Sequence, residues 1–340
     1  MRNMMIRAIA SLLSLLYTLS LTPYDEKATV SRILSGDQPY AYSYVAIIGV
    51  DGAGAFFNRT DTPNMDRIFA DGAVTYTGQA EVPSISAQNW GSILYGVECG
   101  VHGFTNAKAE KTPVTSRFPY PSLFRIARQA EEDALLCASV TWEPIVHGII
   151  ESDLGVDEFQ NDRDADVVEH VIETIRTAPP KLLFVQIDWC DSLGHTKGYG
   201  SEEQLAYLTE VDGHIDRIYR AYEERGILDE TLFIVCADHG GTYIVNSDGT
   251  VKGTHGKASP EETTVFIGIT GKTVAHRDPG NIRNRDVAAI AAAALGLEIP
   301  EVWTARVPDA LFTDRLPEDL RDDLEEAQER WELTGSPAEE

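Results

Sequence analysis

The 340-residue chain predicts an α/β fold with a largely parallel central sheet flanked by helices on both faces. Three observations carry that expectation. Helical and strand-like patterns alternate along the chain. The strand-like stretches are continuous apolar runs, as strands buried on both faces read. Three of those runs end at or just before aspartates, where open parallel sheets gather their ligands.

The elements follow in order. Arg2 and Arg7 precede the apolar run Ala8–Leu21, which has the length and flanks of a signal peptide. No A-x-A-like cleavage site follows, and Ser11, Ser14 and Thr18 share one helical face. An amphipathic helix resting on the domain or on a membrane surface therefore fits equally well, and the run is short for a transmembrane helix. Residues 22–43 are rich in turn formers and complete a lead-in over 1–43. Tyr44–Val50 is the clearest strand and ends at Asp51. A short helix over Pro63–Asp71 follows, then a helix over Ala87–Gly96 directly after Pro83-Ser-Ile-Ser86. Pro121–Glu132 and Ala165–Arg176 read as helices, with a strand over Ala134–Val140 between them. The strand Leu182–Ile187 ends just before Asp188 and Asp191. The helix Glu202–Arg225 is closed by Gly226, a residue suited to a left-handed cap. Leu232–Ala237 is a strand ending at Asp238, Thr264–Thr270 is another, and Arg283–Leu295 is an alanine-rich helix. Residues 44–312 thus form one catalytic-size domain. Residues 313–340 hold eleven acids against three arginines and read as a solvated helix and tail.

Hydrophobic residues make up 43% of the chain, enough for a sizeable core. The net charge of −26 argues against a nucleic-acid-binding surface, which needs clustered Lys and Arg. A small phosphorylated substrate is compatible with that charge where bound cations dominate the local field. Cys99, Cys137, Cys190 and Cys236 show neither a disulfide framework nor a CxxC site, which leans toward a reducing, cytoplasmic address over export.

Chemistry concentrates in five short pieces: Asp51-Gly52, Pro83-Ser-Ile-Ser86, Asp191-Ser-Leu-Gly-His195, Asp238-His239-Gly240 and Thr254-His255-Gly256. Three aspartates, three histidines in glycine-bordered turns and a hydroxyl make a ligand set for two divalent metals around a nucleophile, an arrangement suited to in-line displacement at phosphorus. Mixed imidazole and carboxylate donors suit Zn²⁺, with Mn²⁺ or Fe²⁺ as competitors. Taken singly, each histidine is more often a surface or capping residue than a ligand, and an aspartate after a strand is usually a turn residue. Ser86 precedes a helical run, where local sequence favours an N-cap over a nucleophile; Ser84 competes for either role.

In their order, these motifs resemble the alkaline phosphatase superfamily, and within it the type I phosphodiesterase/nucleotide pyrophosphatase branch. The resemblance runs from about Tyr44 to Phe312 and includes Asn89 and Gly96 through His102-Gly103. It implies an alkaline phosphatase-like fold with a small cap or none. It further implies that Asp191, His195 and His255 bind one metal, that Asp51, Asp238 and His239 bind the other, and that Ser86 is the nucleophile of a phosphoserine mechanism. Asn89 would support a phosphate oxygen, and His102 would be structural. Two positions depart from the nucleotide-specific pattern: Ala87 replaces an aromatic after the nucleophile, and Gln186 replaces a tyrosine. Trp189 or Tyr199 would have to stack a base instead. The expected function is therefore a two-metal phosphoester hydrolase, phosphodiesterase-like. Phosphomonoesterase or phosphonate hydrolase activity is the alternative within the class, with Lys257 as a candidate partner for a terminal phosphate. A metal-binding, non-catalytic homologue is the alternative outside it.

Overall fold

A computed structural model describes residues 42–309 and 311–312. The expectations for residues 1–41 and 313–340 lie outside the described residues. The described residues contain nine strands: β1 Tyr44–Val50, β2 Ala73–Gln79, β3 Leu136–Val140, β4 Asp157–Gln160, β5 Leu182–Ile187, β6 Thr231–Ala237, β7 Thr242–Val245, β8 Val251–Thr254 and β9 Thr264–Thr270. The principal helices are α1 Pro63–Ile68, α2 Ser86–Tyr95, α3 Leu123–Ala130, α4 Asp164–Thr177, α5 Trp189–Lys197, α6 Glu202–Arg225 and α7 Asp286–Ala294.

Seven strands form the central sheet in the order β2-β9-β6-β1-β5-β3-β4. The pairs among β6, β1, β5, β3 and β4 are parallel, and β9 runs antiparallel between β2 and β6. Nearly every residue of β1, β5 and β6 is buried, so both faces of the sheet are covered. Helices α4, α6 and α1 pack on one another, as do α2, α3 and α7. The β7–β8 hairpin is a separate two-stranded sheet; its β8 packs on α5, and its β7 carries half-exposed Tyr243, Ile244 and Val245. Among the described residues there is no large cap and no helix long and apolar enough to cross a membrane.

Register explains why the acids meet. Val50 pairs with Ile187 on one side and Ala237 on the other. Asp51, Asp188 and Asp238 are the next residue in each strand, so three carboxylates leave the sheet at one level.

Four expectations change. Asp191 and His195 stand on α5, not in a turn, and the reason is remote: the Asp164 carboxylate accepts the N–H groups of Asp188 and Trp189, capping the helix from α4. Gly194 is helical, and it is required for close packing: a Cβ there would strike the Tyr199 ring, and one at Gly253 would strike the Gly194 carbonyl. Ser86 is the first helical residue, not the cap; Ile85 holds the cap position without a side-chain bond. Strands β2, β4, β7 and β8 add to the expected set: β4, β7 and β8 span only four residues each, and β2 breaks its apolar run with Thr and Gly.

Candidate functional site

The site lies at the carboxyl ends of β1, β5 and β6. Each of its three aspartates has one carboxylate oxygen fastened by protein donors and the other turned inward. Asp51 Oδ2 accepts from Trp90 Nε1 at 2.8 Å and Gln186 Nε2 at 3.0 Å, while Oδ1 is buried without a hydrogen-bond partner. Asp238 Oδ1 accepts from the N–H groups of Gly52 and His239 at 3.0 and 2.8 Å, while Oδ2 is buried and unpartnered. Asp191 Oδ1 accepts from the Tyr199 hydroxyl at 2.5 Å, and Oδ2 lies 3.2 Å from His195 Nε2.

The histidines share the same logic. Nδ1 of His239, His255 and His195 faces the carbonyl of Gly240 at 2.8 Å, Ser84 at 2.7 Å and Gly253 at 3.5 Å, respectively. A carbonyl only accepts, so Nδ1 of His239 and of His255 carries the proton and their Nε2 atoms present lone pairs, whereas His195 Nε2 faces the Asp191 carboxylate. Those lone pairs converge on one another and on the free carboxylate oxygens. His255 Nε2 is 3.1 Å from His195 Nε2. His239 Nε2 is 3.3 Å from Asp238 Oδ2, 3.7 Å from Asp51 Oδ1 and 3.2 Å from Ser86 Oγ.

Acceptors facing acceptors in a buried site are repulsive until a cation lies between them. Two groups meet the geometric requirement for holding a metal ion: Asp191, His195 and His255, and Asp51, Asp191 and His239, with ligand atoms within 4.8 Å of one another in each. Asp191 belongs to both, and the stacked His239 and His255 rings, 4.0 Å apart, join the groups. The residues present thus fit a pair of divalent cations.

Electrostatics mark the two halves differently. Against burial, the His195 hydrogen bond and the neighbouring imidazoles hold Asp191 down to about 2, and the Asp191 hydrogen bond raises His195. Burial, followed by repulsion from Asp238 and Asp191, holds the Asp51 carboxyl well above its ordinary range. Burial likewise pushes Asp238 up to about 8, against the pull of its Gly52 hydrogen bond. Burial lowers His239 and His255, which keeps both rings neutral as ligation needs.

Other expected residues fall elsewhere. Asn89 is fully buried and its amide is consumed: Oδ1 accepts from Glu81 N and Asn284 Nδ2, and Nδ2 donates to the carbonyls of Pro83 and Ile85. It holds the loop before Ser86 and has no group left for a phosphate oxygen. Asn106, which the sequence reading passed over, stands beside Ser86: its Oδ1 accepts from Ala87 N at 3.0 Å, which leaves Nδ2 with no hydrogen bond among the described residues. Its distance of twenty residues from Ser86 hid it, although it follows the His102-Gly103 pair. His102 is buried and bonded to Gln88 O and Phe104 N, with burial lowering it to about 4, so it is structural. Ala87 is fully buried, Gln186 is spent on Asp51 and on the N–H groups of Thr141 and Trp142, and Tyr199 is spent on Asp191. Only Trp189 keeps an exposed ring. Lys257 is exposed.

Comparison with known proteins gives the context. A sequence model of the type I phosphodiesterase / nucleotide pyrophosphatase family matches residues 45–321. Among curated proteins, the human GPI ethanolamine phosphate transferase 2 catalytic subunit is 28% identical over 53% of this chain and 19% of its own length. The Aspergillus fumigatus GPI ethanolamine phosphate transferase 2 is 24% identical over 67% of this chain and 31% of its own length. The chain therefore spans less than a third of these relatives. Among solved structures, murine ectonucleotide pyrophosphatase / phosphodiesterase 5, in an inactive form in complex with AMP, superposes with a TM-score of 0.67 at 14% identity, covering 80% of this chain and all of that one. The human counterpart gives 0.66 at 12% identity, covering 79% of this chain and 99% of its own. At these identities the likeness is one of fold.

Proposed function

Since the chain belongs to the type I phosphodiesterase / nucleotide pyrophosphatase family, whose members handle phosphoesters, we propose that it is a metal-dependent phosphoester hydrolase, preferring diesters, with Ser86 as nucleophile. The observation that carries this reading is the arrangement of lone pairs: buried carboxylate oxygens and bare imidazole nitrogens converge around the Ser86 hydroxyl with no protein donor among them.

Asp191, His195 and His255 would hold one divalent ion, and Asp51, Asp238 and His239 the other, with Asp191 near both. Such ions, with Zn²⁺ suited to this donor set, would supply Lewis-acid stabilisation of the serine oxygen, the phosphoryl oxygens and the leaving oxygen. Ser86 attacks phosphorus in line: its O–P bond forms as the ester O–P bond breaks and the alcohol departs with a proton. Water then displaces Ser86 from the phosphoserine, returning the proton to the hydroxyl and releasing the phosphomonoester. The N-terminus of α2 contributes unpaired N–H groups and a favourable dipole where the phosphate sits. Asn106, bonded through Oδ1 to Ala87 N next to Ser86, would offer its amide N–H₂ to a phosphate oxygen in place of Asn89. A diester presents one negative charge to the two ions, whereas a monoester presents a second that calls for a basic partner. Lys257, exposed at the surface, offers little compensation. With Ala87 and Gln186 unable to stack a base, nucleotides have no special claim as substrates.

The transferase names of the curated relatives support a second reading, in which an alcohol replaces water in the second step. Product analysis with and without added alcohols separates the two. The primary test is turnover of bis-p-nitrophenyl phosphate. Ser86→Ala is expected to lower it by roughly 10³-fold or more while metal content stays unchanged. Unchanged turnover would overturn the nucleophile assignment.

A further inference from the structure

Glu262 is fully buried in the short helix Pro260–Thr263, and one of its oxygens, Oε1, has no hydrogen-bond partner. Burying a carboxylate costs several kcal/mol unless its bonds repay it. The bonds of its other oxygen all lead to one place. Oε2 accepts from the Lys257 main-chain N–H and lies 2.9 Å from the Ser84 hydroxyl, whose proton it shares with the Lys257 carbonyl at 2.7 Å. Ser84 Oγ in turn accepts from Gly256 N–H at 2.9 Å, and the Ser84 carbonyl accepts from His255 Nδ1 at 2.7 Å. Residues 255, 256 and 257 are thus each tied to the Ser84–Glu262 pair.

We propose that Glu262 is a positioning residue for the Asp191–His195–His255 cluster, acting through Ser84 to hold His255 with its Nε2 facing His195. The inference rests on the metal reading above. Its physical case is a matter of what else could hold His255. On the amino-terminal side β8 rests on α5, with Gly253 packed against the Gly194 carbonyl, so the chain is fixed as far as Thr254, but among the described residues no bond from that side reaches the His255 ring. Gly256 sits at φ +108°, a conformation with no intrinsic preference for this loop path. The His255 ring and the turn that follows it take their bonds from Ser84 and from Glu262, which is buried in the core. Ser84, a candidate nucleophile from sequence, is fully buried and finds its use here.

The test is metal competition on the full chain, with Zn²⁺ titrated against a chromophoric chelator. Wild type is expected to bind about two equivalents. Glu262→Ala should weaken one of them by about 10–100-fold and leave the other within a few-fold. Glu262→Gln, which keeps an acceptor in place of Oε2, should recover most of that loss. Ser84→Ala removes only the hydroxyl, keeps the carbonyl that bonds His255, and reports on the clamp if the Glu262 variants fail to fold; it should weaken the same equivalent. The double variant Ser84→Ala with Glu262→Ala should be no weaker than Glu262→Ala alone, because both act along one path. A wild type with two equivalents alongside folded variants with unchanged affinity, or with both equivalents weakened alike, would overturn the inference alone. A wild-type chain that binds no metal would overturn the metal reading and the inference with it.

Discussion

The two halves of the site are built differently. Asp51, Asp238 and His239 are at most 1% exposed, whereas the His195 side chain is 44% exposed. The buried half is set by the sheet itself: its carboxylates follow paired strand ends and are oriented by Trp90, Gln186 and main-chain N–H groups. The open half is borrowed from elements farther away, with α5 capped from Asp164 and the His255 loop clamped by Glu262. The difference teaches that the half touching the nucleophile is fixed by the core, while the half open to solvent depends on supports that single substitutions can loosen.

The sharpest way to break this comparison is to neutralise one ligand in each half. Asp51→Asn keeps the acceptor for Trp90 and Gln186 but removes a buried charge. It should lower turnover by roughly 10³-fold or more yet raise the metal-free Tm by a few degrees, since the wild-type carboxylate is held in a repulsive site. His195→Ala should lose one metal equivalent with little change in metal-free Tm, because a half-exposed side chain contributes little to the fold. Thermal melts of the chelated proteins decide it, and a lower Tm for Asp51→Asn would refute the strained-site account.

The next effect separates two asparagines. Asn106→Ala should lower kcat by about 10²-fold or more with Tm nearly unchanged. Asn89→Ala should instead cost about 1–3 kcal/mol of stability, from the bonds it leaves unmade. Paired kinetics and melts check both, and the reverse pattern would restore Asn89 to the phosphate.

A smaller effect follows from protonation. In the metal-free fold Asp238 keeps its proton up to about pH 8, well above the unfolded carboxylate range. Between those values the folded state binds more protons than the unfolded one, so its stability falls as pH rises. His239 and His255, lowered by burial, act in the opposite direction, mainly below about pH 6.5. From about pH 7 to 8 His195, raised by its Asp191 hydrogen bond, adds to the carboxylate effect in the same direction, and the metal-free Tm should fall while the metal-loaded Tm holds steadier. A metal-free Tm that rises across this window would contradict it. The smallest effect belongs to Lys257: Lys257→Ala should change the ratio of diester to monoester turnover by less than about two-fold, as expected for an exposed, screened charge.

Much of this was legible in the chain. The apolar runs of β1, β5 and β6 announce strands buried on both faces, and their ends announce Asp51 and Asp238. The long helix α6 carries its own Ser201 cap and Gly226 stop, so its bounds read off directly. What stayed hidden was made by remote partners. Helix α5 owes its start to Asp164, twenty-odd residues earlier in the chain, so Asp191 and His195 read as turn residues. Asn89 and Asn106 are told apart only by what their amides touch. Glu262 shows no motif at all, since its role exists only in the bonds it makes across the fold.

The central claim is that this pocket of facing acceptors is a site for about two divalent ions serving Ser86. Elemental analysis of the active full-length chain, with turnover followed through chelation and metal return, tests it most directly. The account predicts about two equivalents per chain, with turnover lost on chelation and recovered on adding Zn²⁺, Mn²⁺ or Fe²⁺. A fully active chain containing no divalent metal would contradict it.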